Sequence, residues 1–224
     1  MAGATMATHL FFDFFGTLVD YSASRTEQGY ERSFALLRAA GARLDYEGFL
    51  SLWSEVAEGF EAEAERTRRE FSMVELGRAF LARVPGAPPV EGAEELVRVY
   101  VEEWSKGVTY LDGVVPLLER LSRRFRLAVI TNTHDRHLVP AHLERMGAAR
   151  FFERVIASVE LGTRKPAAEI FAHAQRAGGA EPAGCVHVGD SYHADYRGAL
   201  AAGLRPLLID PQRRAPVPDG HRIA

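Results

Sequence analysis

Cysteine is almost absent from this sequence, as are long apolar runs and a strong excess of either charge. The single cysteine, Cys185, cannot form an intrachain disulfide, and its place in the apolar run CVHVG is typical of a small buried residue. No stretch reaches the ~18 apolar residues of a membrane span. The N-terminal segment MAGATMATHLFF lacks the basic region of a signal peptide. We therefore expect a cytoplasmic protein that does not bind a membrane.

The charge balance gives little reason to expect a polyanionic partner. The formal net charge is −3 over 224 residues, and no basic block is interleaved with aromatic residues. Hydrophobic residues make up 47% of the chain and charged residues 25%, which is typical of an ordinary globular protein. We therefore do not expect binding to nucleic acid, and a small molecule is the expected partner.

Short apolar segments that end at a polar residue or a glycine predict strands. The segments are HLFFD (9–13), RLAVIT (126–131), CVHVGD (185–190), RPLLID (205–210) and, more weakly, RVIAS (154–158). Segments that are apolar on both faces and alternate with amphipathic helices indicate a parallel sheet covered by helices. From residue 112 onward the pattern therefore predicts an α/β fold, with a Rossmann-like, doubly wound parallel sheet.

Residues 21–108 follow a different pattern, in which long amphipathic stretches contain no convincing strand. The proline-rich segment VPGAPPVEG (84–92) separates the last two predicted helices. We therefore predict a core domain formed by residues 1–20 and 109–224, and an all-helical domain formed by residues 21–108. The tail PQRRAPVPDG (211–220) is expected to be loosely ordered.

Polar residues follow several of the predicted strands, at the edge where open parallel sheets bind their ligands. These residues are Asp13, Thr17, Thr131, Asn132, Asp190 and, five residues after Asp190, Asp195. A lysine, Lys165, lies in the segment GTRKP just before a predicted helix. The sequence therefore predicts a site in which carboxylates, hydroxyls and one ammonium group meet.

Four short motifs carry a resemblance to a known family. DFFGTL, the strand end ITN, RKP before a helix and GDSYHAD resemble, in order and spacing, the four motifs of the haloacid dehalogenase superfamily of hydrolases. The helical insertion directly after the first motif resembles the cap domain of subfamily I. The resemblance covers essentially the whole chain. It implies a core that carries the catalytic site and a cap whose closure excludes water and supplies substrate contacts.

The resemblance also implies roles for the strand-end residues. Asp13 is the expected nucleophile, because a carboxylate that forms a covalent intermediate divides one difficult displacement into two easier steps. The other expected catalytic residues are Thr131 and Lys165. The residues expected to bind the substrate are Thr17, Thr131, Asn132 and Lys165. The expected cofactor is Mg²⁺, held by Asp13, the backbone carbonyl of Phe15, Asp190 and Asp195.

Phe15 departs from the pattern of the phosphatases in this superfamily, which usually carry a second aspartate two residues after the nucleophile. That aspartate protonates the leaving oxygen and then activates water, whereas a phenyl ring cannot transfer a proton. A positioned acid or base contributes roughly 10²- to 10⁴-fold to the rate. The candidate replacement donors in the sequence are Asp20, His134 and Glu27.

Three functions follow from these observations. The first is a Mg²⁺-dependent phosphohydrolase that acts on a small phosphate ester through an aspartyl-phosphate on Asp13. The second is a 2-haloacid dehalogenase, whose leaving halide needs no proton, so Phe15 fits it. However, dehalogenases of this superfamily carry serine, asparagine and tyrosine where this chain has Asp190, Tyr192 and Phe171. The third is a binding protein with weakened chemistry, which the retained acidic residues disfavour.

Overall fold

A computed structural model describes residues 6–22, 28–86 and 92–224. The chain divides into two compact units, one formed by Met1–Asp20 with Tyr110–Ala224 and the other by Tyr21–Thr109. None of the helices in the described residues combines the length and the apolar character needed to cross a membrane.

The strands belong mainly to one parallel sheet. In chain order they are β1 (His9–Phe12), β2 (Val19–Tyr21), β3 (Val108–Tyr110), β4 (Arg126–Thr131), β5 (Phe152–Ala157), β6 (Cys185–Gly189), β7 (Arg205–Ile209) and β8 (Arg222–Ile223). Among the described residues, six strands form one sheet in the order β5-β4-β1-β6-β7-β8, while β2 and β3 pair separately. All neighbours in the larger sheet are parallel. The predicted α/β fold class is confirmed.

Helices account for most of the remaining chain. They are α1 (Glu31–Ala39), α2 (Tyr46–Thr67), α3 (Met73–Leu81), α4 (Ala93–Trp104), α5 (Val114–Ser122), α6 (Leu138–Arg145), α7 (Ser158–Leu161), α8 (Ala168–Gly178) and α9 (Gly198–Ala201). The first four lie in the helical unit and the others alternate with the strands of the sheet. The sequence pattern missed β2, β3 and β8, because strands of two or three residues are too short to show a period.

The centre of the sheet brings three strand ends to the same level. All four residues of β1 are buried, and the strand pairs with β4 on one side and β6 on the other. Phe12 lies opposite Val129 and Val188. The residues that follow β1, β4 and β6 therefore emerge together at the carboxyl edge of the sheet.

The helical unit has a separate hydrophobic core, which is rich in aromatic side chains. Trp53 and Tyr100 stack with their ring centroids 4.0 Å apart, and Tyr30 stacks on Tyr100 at 4.5 Å. Phe49 and Phe80 are fully buried and meet edge to face at 5.8 Å. Such rings bury large apolar areas, which explains why this part of the chain is compact without a sheet.

Candidate active site

Lys165 forms the centre of the predicted site. Its Nζ atom donates to Oδ1 of Asp13 at 2.7 Å and to Oδ1 of Asp195 at 2.6 Å. The side chain of Lys165 is buried, as is that of Asp195. Burial alone would lower the pKa of Lys165, but the charges of the two carboxylates outweigh it and raise that pKa. The site thus contains an ammonium group fixed between two carboxylates.

Asp13 lies directly after β1, where its backbone N–H donates to the carbonyl of Val188 at 2.8 Å. Its side chain is nearly excluded from water. Burial raises the pKa of this carboxyl, and the charge and hydrogen bond of Lys165 oppose the rise. The carboxylate is therefore poorly hydrated and held beside a fixed positive charge, which suits a nucleophile.

A third carboxylate, from Asp190, completes an acidic cluster after β6. Asp13, Asp190 and Asp195 each offer an oxygen atom, and these atoms all lie within 4.8 Å of one another. Asp190 is exposed, but desolvation by the surrounding protein and repulsion by the other two carboxylates raise its pKa to about 6. Lys165 balances only part of this negative charge. Hard oxygen donors with an excess of negative charge fit a divalent cation such as Mg²⁺.

Two glycines allow these carboxylates to approach the backbone closely. Gly16 has φ +80°, and a Cβ at this position would lie 2.4 Å from Oδ2 of Asp190. A Cβ at Gly189 would lie 2.2 Å from Cγ of Asp195. Any other residue at either position would displace a carboxylate of the cluster, so the glycines are part of the geometry of the site.

Asp195 is held by donors from three directions. Besides Lys165, His187 contacts its Oδ1 through Nε2 at 2.9 Å, and the backbone N–H of Ser191 donates to its Oδ2 at 3.0 Å. A π-helical turn, Tyr192–Arg197, carries the residue. Burial alone would raise the pKa of Asp195, but the charge of Lys165 and the hydrogen bonds hold it well below its ordinary value.

The strand ends also present hydroxyl groups that lack partners. Oγ1 of Thr131 and Oγ1 of Thr17 are both buried, and neither has a hydrogen-bond partner in the described part of the chain. Buried polar atoms are nearly always paired, so an orphaned hydroxyl at a strand end indicates a place for a ligand atom. Two such donors suit an anion.

Asn132 uses its side chain to hold Lys165. Its Nδ2 donates to the backbone carbonyl of Lys165 at 3.0 Å, and its Oδ1 accepts the backbone N–H of Lys165 at 2.8 Å. This pair of hydrogen bonds joins the end of β4 to the lysine loop. The side chain of Asn132 thus positions the lysine, a role that the sequence analysis did not assign.

Phe15 packs against other rings. Its centroid lies 5.0 Å from that of Phe14 and 6.5 Å from that of His142, edge to face in both cases. Of the candidate replacement donors, Asp20 is exposed on β2 and His134 is half-buried. Glu27 lies outside the described residues. Aromatic packing thus occupies the position at which the resemblance implies a second aspartate for a phosphatase.

His187 is the site residue that sequence reasoning missed. The available signal was a histidine inside the apolar run CVHVG, which predicts a buried strand. A buried imidazole needs a hydrogen-bond partner, and the nearby acidic residues after that strand were the obvious candidates. The sequence alone does not tell which of the acidic residues after the strand contacts His187; in the structure it is Asp195.

Comparisons with known proteins indicate a family. A family model described as a haloacid dehalogenase-like hydrolase matches residues 7–203. Haloacid dehalogenase-like hydrolase domain-containing protein 3 of Mus musculus is 33% identical over 130 residues, or 57% of this chain and 51% of that protein. N-acylneuraminate-9-phosphatase of Homo sapiens is 30% identical over 139 residues, or 59% of this chain and 56% of that protein. The chain spans about half the length of these relatives.

Solved structures show the same fold. A 2-haloacid dehalogenase from Pseudomonas syringae pv. Tomato DC3000 matches with a TM-score of 0.73 and 24% sequence identity. The match covers 96% of this chain and 91% of that chain. At this identity, the similarity concerns the fold alone.

Proposed function

The chain belongs to the haloacid dehalogenase-like hydrolase family, and from this premise we propose that it hydrolyses small phosphate esters through a covalent intermediate on Asp13. The observation that carries the proposal is the cluster of Asp13, Asp190 and Asp195 around Lys165. Its excess negative charge suits a divalent cation, and the orphaned threonine hydroxyls suit a phosphate group. Displacement of a halide from carbon does not require a divalent cation.

Asp13 and Asp190, with the backbone carbonyl of Phe15, are the proposed ligands of Mg²⁺. Asp195 belongs to the same acidic cluster, and three hydrogen bonds engage its carboxylate. When bound, Mg²⁺ would neutralise part of the negative charge of the carboxylates and of the phosphate. The side chains of the site would carry out the nucleophilic attack and stabilise the charge on the phosphoryl group.

The proposed reaction has two steps. An oxygen of Asp13 forms a bond to phosphorus while the bond between phosphorus and the leaving oxygen breaks. Lys165 and the hydroxyls of Thr131 and Thr17 stabilise the charge on the phosphoryl oxygens. The leaving oxygen takes its proton from water, because Phe15 offers none. Water then cleaves the aspartyl-phosphate, which releases phosphate and restores the carboxylate of Asp13.

A 2-haloacid dehalogenase is the second candidate, and Phe15 is the observation that favours it. An oxygen of Asp13 would form a bond to the carbon that carries the halogen, and the halide would leave without a proton. Water would then hydrolyse the resulting ester. This reaction gives no role to Asp190, whose carboxyl has a pKa raised to about 6 beside two other carboxylates. We therefore rank it second.

The test is to assay the purified protein with an activated aryl phosphate, in Mg²⁺ and in excess chelator, and to measure halide release from a 2-haloacid in parallel. An aryl leaving group needs little protonation, so the absence of an acid at Phe15 matters least with this substrate. We expect phosphate release in Mg²⁺ and none in chelator. Halide release that is equal in both conditions, without phosphate release, would contradict the proposal and establish the second candidate.

A further inference from the structure

His187 is a fully buried polar residue in the middle of β6, between β1 and β7. Its ring meets that of Phe171 edge to face, with centroids 5.1 Å apart. An unpaired polar group in such surroundings destabilises the folded protein, so an imidazole here requires a compensating interaction. The compensating interaction is the 2.9 Å contact between Nε2 and Oδ1 of Asp195.

The chemistry of Asp195 determines the direction of this hydrogen bond. A carboxylate only accepts hydrogen bonds, and Oδ1 of Asp195 already accepts one from the ammonium group of Lys165. Nε2 of His187 must therefore carry the proton. Nδ1 is buried and has no hydrogen-bond partner among the described residues.

The hydrogen bonds form a continuous line that ends at the proposed nucleophile. Nε2 of His187 donates to Oδ1 of Asp195, the same oxygen accepts from Nζ of Lys165, and Nζ also donates to Oδ1 of Asp13. The backbone N–H of Ser191 holds the other oxygen of Asp195. Anchored at both oxygens, the carboxylate cannot rotate, and the ammonium group keeps its position against Asp13.

We infer that His187 is a positioning residue, which fixes Asp195 and, through it, the ammonium group of Lys165 against the attacking oxygen of Asp13. The inference rests on the proposed function. Without the Nε2 donor, the Ser191 N–H and the lysine alone would orient the carboxylate, and the lysine would be free to shift with it. A small displacement of a catalytic group lowers the rate without preventing substrate binding.

The variants H187Q and H187N both place a side-chain amide at this position, and they differ in how far that amide extends from the backbone. In H187Q, the side-chain amide extends to the former position of Nε2 and can still donate to Asp195. In H187N, the shorter amide reaches only the position of Nδ1, so the donor is lost while polarity and neutral charge are kept. Any effect of placing an amide in β6 is common to both variants, which makes H187Q the matched control.

The experiment measures kcat and KM of the wild-type protein, H187Q and H187N with an aryl phosphate in Mg²⁺. We expect H187N to lower kcat roughly 10- to 100-fold with little change in KM, and H187Q to retain most of the wild-type kcat. Equal losses in both variants, or no loss in H187N, would overturn the inference.

A second measurement does not depend on activity. In ¹⁵N-labelled wild-type protein, the assigned ¹H–¹⁵N resonances of the His187 ring should show a proton on Nε2 that exchanges slowly with water. A His187 ring without a proton on Nε2, or rapid exchange of that proton, would overturn the inference even if the variants did not fold. Wild-type inactivity toward phosphate esters would contradict the proposed function, and this spectrum alone would then decide whether His187 anchors Asp195.

Discussion

At the scale of single residues, Phe15 has the largest consequence for the chemistry. Its ring packs edge to face against Phe14 and His142. It therefore places an apolar group two residues after Asp13, where an acid would assist departure of a poor leaving group. The proposed enzyme should accordingly prefer substrates whose leaving oxygen is already a stable anion.

Replacing Phe15 with aspartate tests this interpretation. F15D should increase hydrolysis of an alkyl phosphate by up to roughly 10²-fold and that of an aryl phosphate much less, because only the alkoxide needs a proton. The measurement is kcat/KM for both substrates. F15N is the control, since it has nearly the same size and cannot transfer a proton near neutral pH. An equal gain in F15N, or no gain in F15D, would show that proton donation does not limit the rate.

His142 is a second residue whose environment has a measurable consequence. It is buried on α6, where Nδ1 lies 2.9 Å from the hydroxyl of Tyr110. Burial, with a smaller effect of Arg145, lowers its pKa from 6.5 to about 4. The unfolded chain therefore binds a proton at this residue more readily than the folded protein does. Stability should fall as the pH falls from about 6.5 toward 4.

The variant H142N tests this linkage, because asparagine does not titrate and can still reach the hydroxyl of Tyr110. We expect the free energy of unfolding of the wild-type protein to drop by about 2 kcal/mol more than that of H142N between neutral pH and the lower end of this window. Urea denaturation at several pH values measures the difference. Parallel pH profiles for the two proteins would show that His142 is not buried in the neutral form.

At the scale of secondary structure elements, α4 supplies a carboxylate to the start of α1. Glu103 is completely buried, and its two oxygens accept from the backbone N–H groups of Arg32 and Ser33 and from Oγ of Ser33. The first turn of a helix leaves its N–H groups without partners in the helix, and α1 has no side-chain cap of its own. Glu103 thus stabilises α1 from another helix.

Adjacent glutamates provide a matched test of this contact. E103A should lower the free energy of unfolding of the helical unit by about 3 kcal/mol, because it leaves several buried donors unpaired. E102A removes only exposed ion pairs with Arg32 and Arg98, and should cost less than about 1 kcal/mol. Urea denaturation of both variants measures the contrast. Similar losses would mean that the buried hydrogen bonds contribute no more than surface charge.

The local sequence pattern predicted which segments form buried strands. It missed contacts between residues that lie far apart in the sequence. The strands that end just before Asp13, at Thr131 and just before Asp190 were predicted from apolar runs, because burial on both faces makes the strand sequence apolar throughout. The contact of Glu103 with α1 joins residues about 70 positions apart, and no local pattern encodes it.

The C-terminal tail illustrates the same limit and corrects the expectation of loose order. The carboxylate of Asp210 accepts from the backbone N–H groups of Arg214 and Ala215 and pairs with Arg222. Val217 is buried, and β8 extends the sheet beside β7. The composition of the tail is typical of a loop, but a single acidic residue after β7 supplies enough hydrogen bonds to order it.

At the scale of the whole molecule, the proposed cation site would link folding to the binding of a cation. The net charge of the protein is only −3, yet the site concentrates Asp13, Asp190 and Asp195 around one lysine. Carboxylate oxygens within 4.8 Å of one another repel each other, and this repulsion destabilises the folded protein until a cation neutralises the charge. Any cation that binds only the folded state must therefore raise its stability.

Thermal denaturation with and without Mg²⁺ measures this linkage. At about 100 times the Kd, Mg²⁺ should stabilise the wild-type protein by ~2.7 kcal/mol. D190N should lose most of this response, and in chelator it should be at least as stable as the wild-type protein, because one repelling charge is gone. The same Mg²⁺-dependent rise in Tm for D190N would contradict a metal site that includes Asp190.

The most direct test of the account is whether phosphate passes through Asp13. Wild-type protein and D13N are mixed with an aryl phosphate and Mg²⁺, quenched in acid within one turnover, and analysed by mass spectrometry of the peptide that contains residue 13. The account predicts a phosphoryl group on Asp13 in the wild-type protein, and neither phosphoryl group nor turnover in a folded D13N. Turnover by D13N, or wild-type turnover that never leaves a phosphoryl group on this peptide, would contradict it.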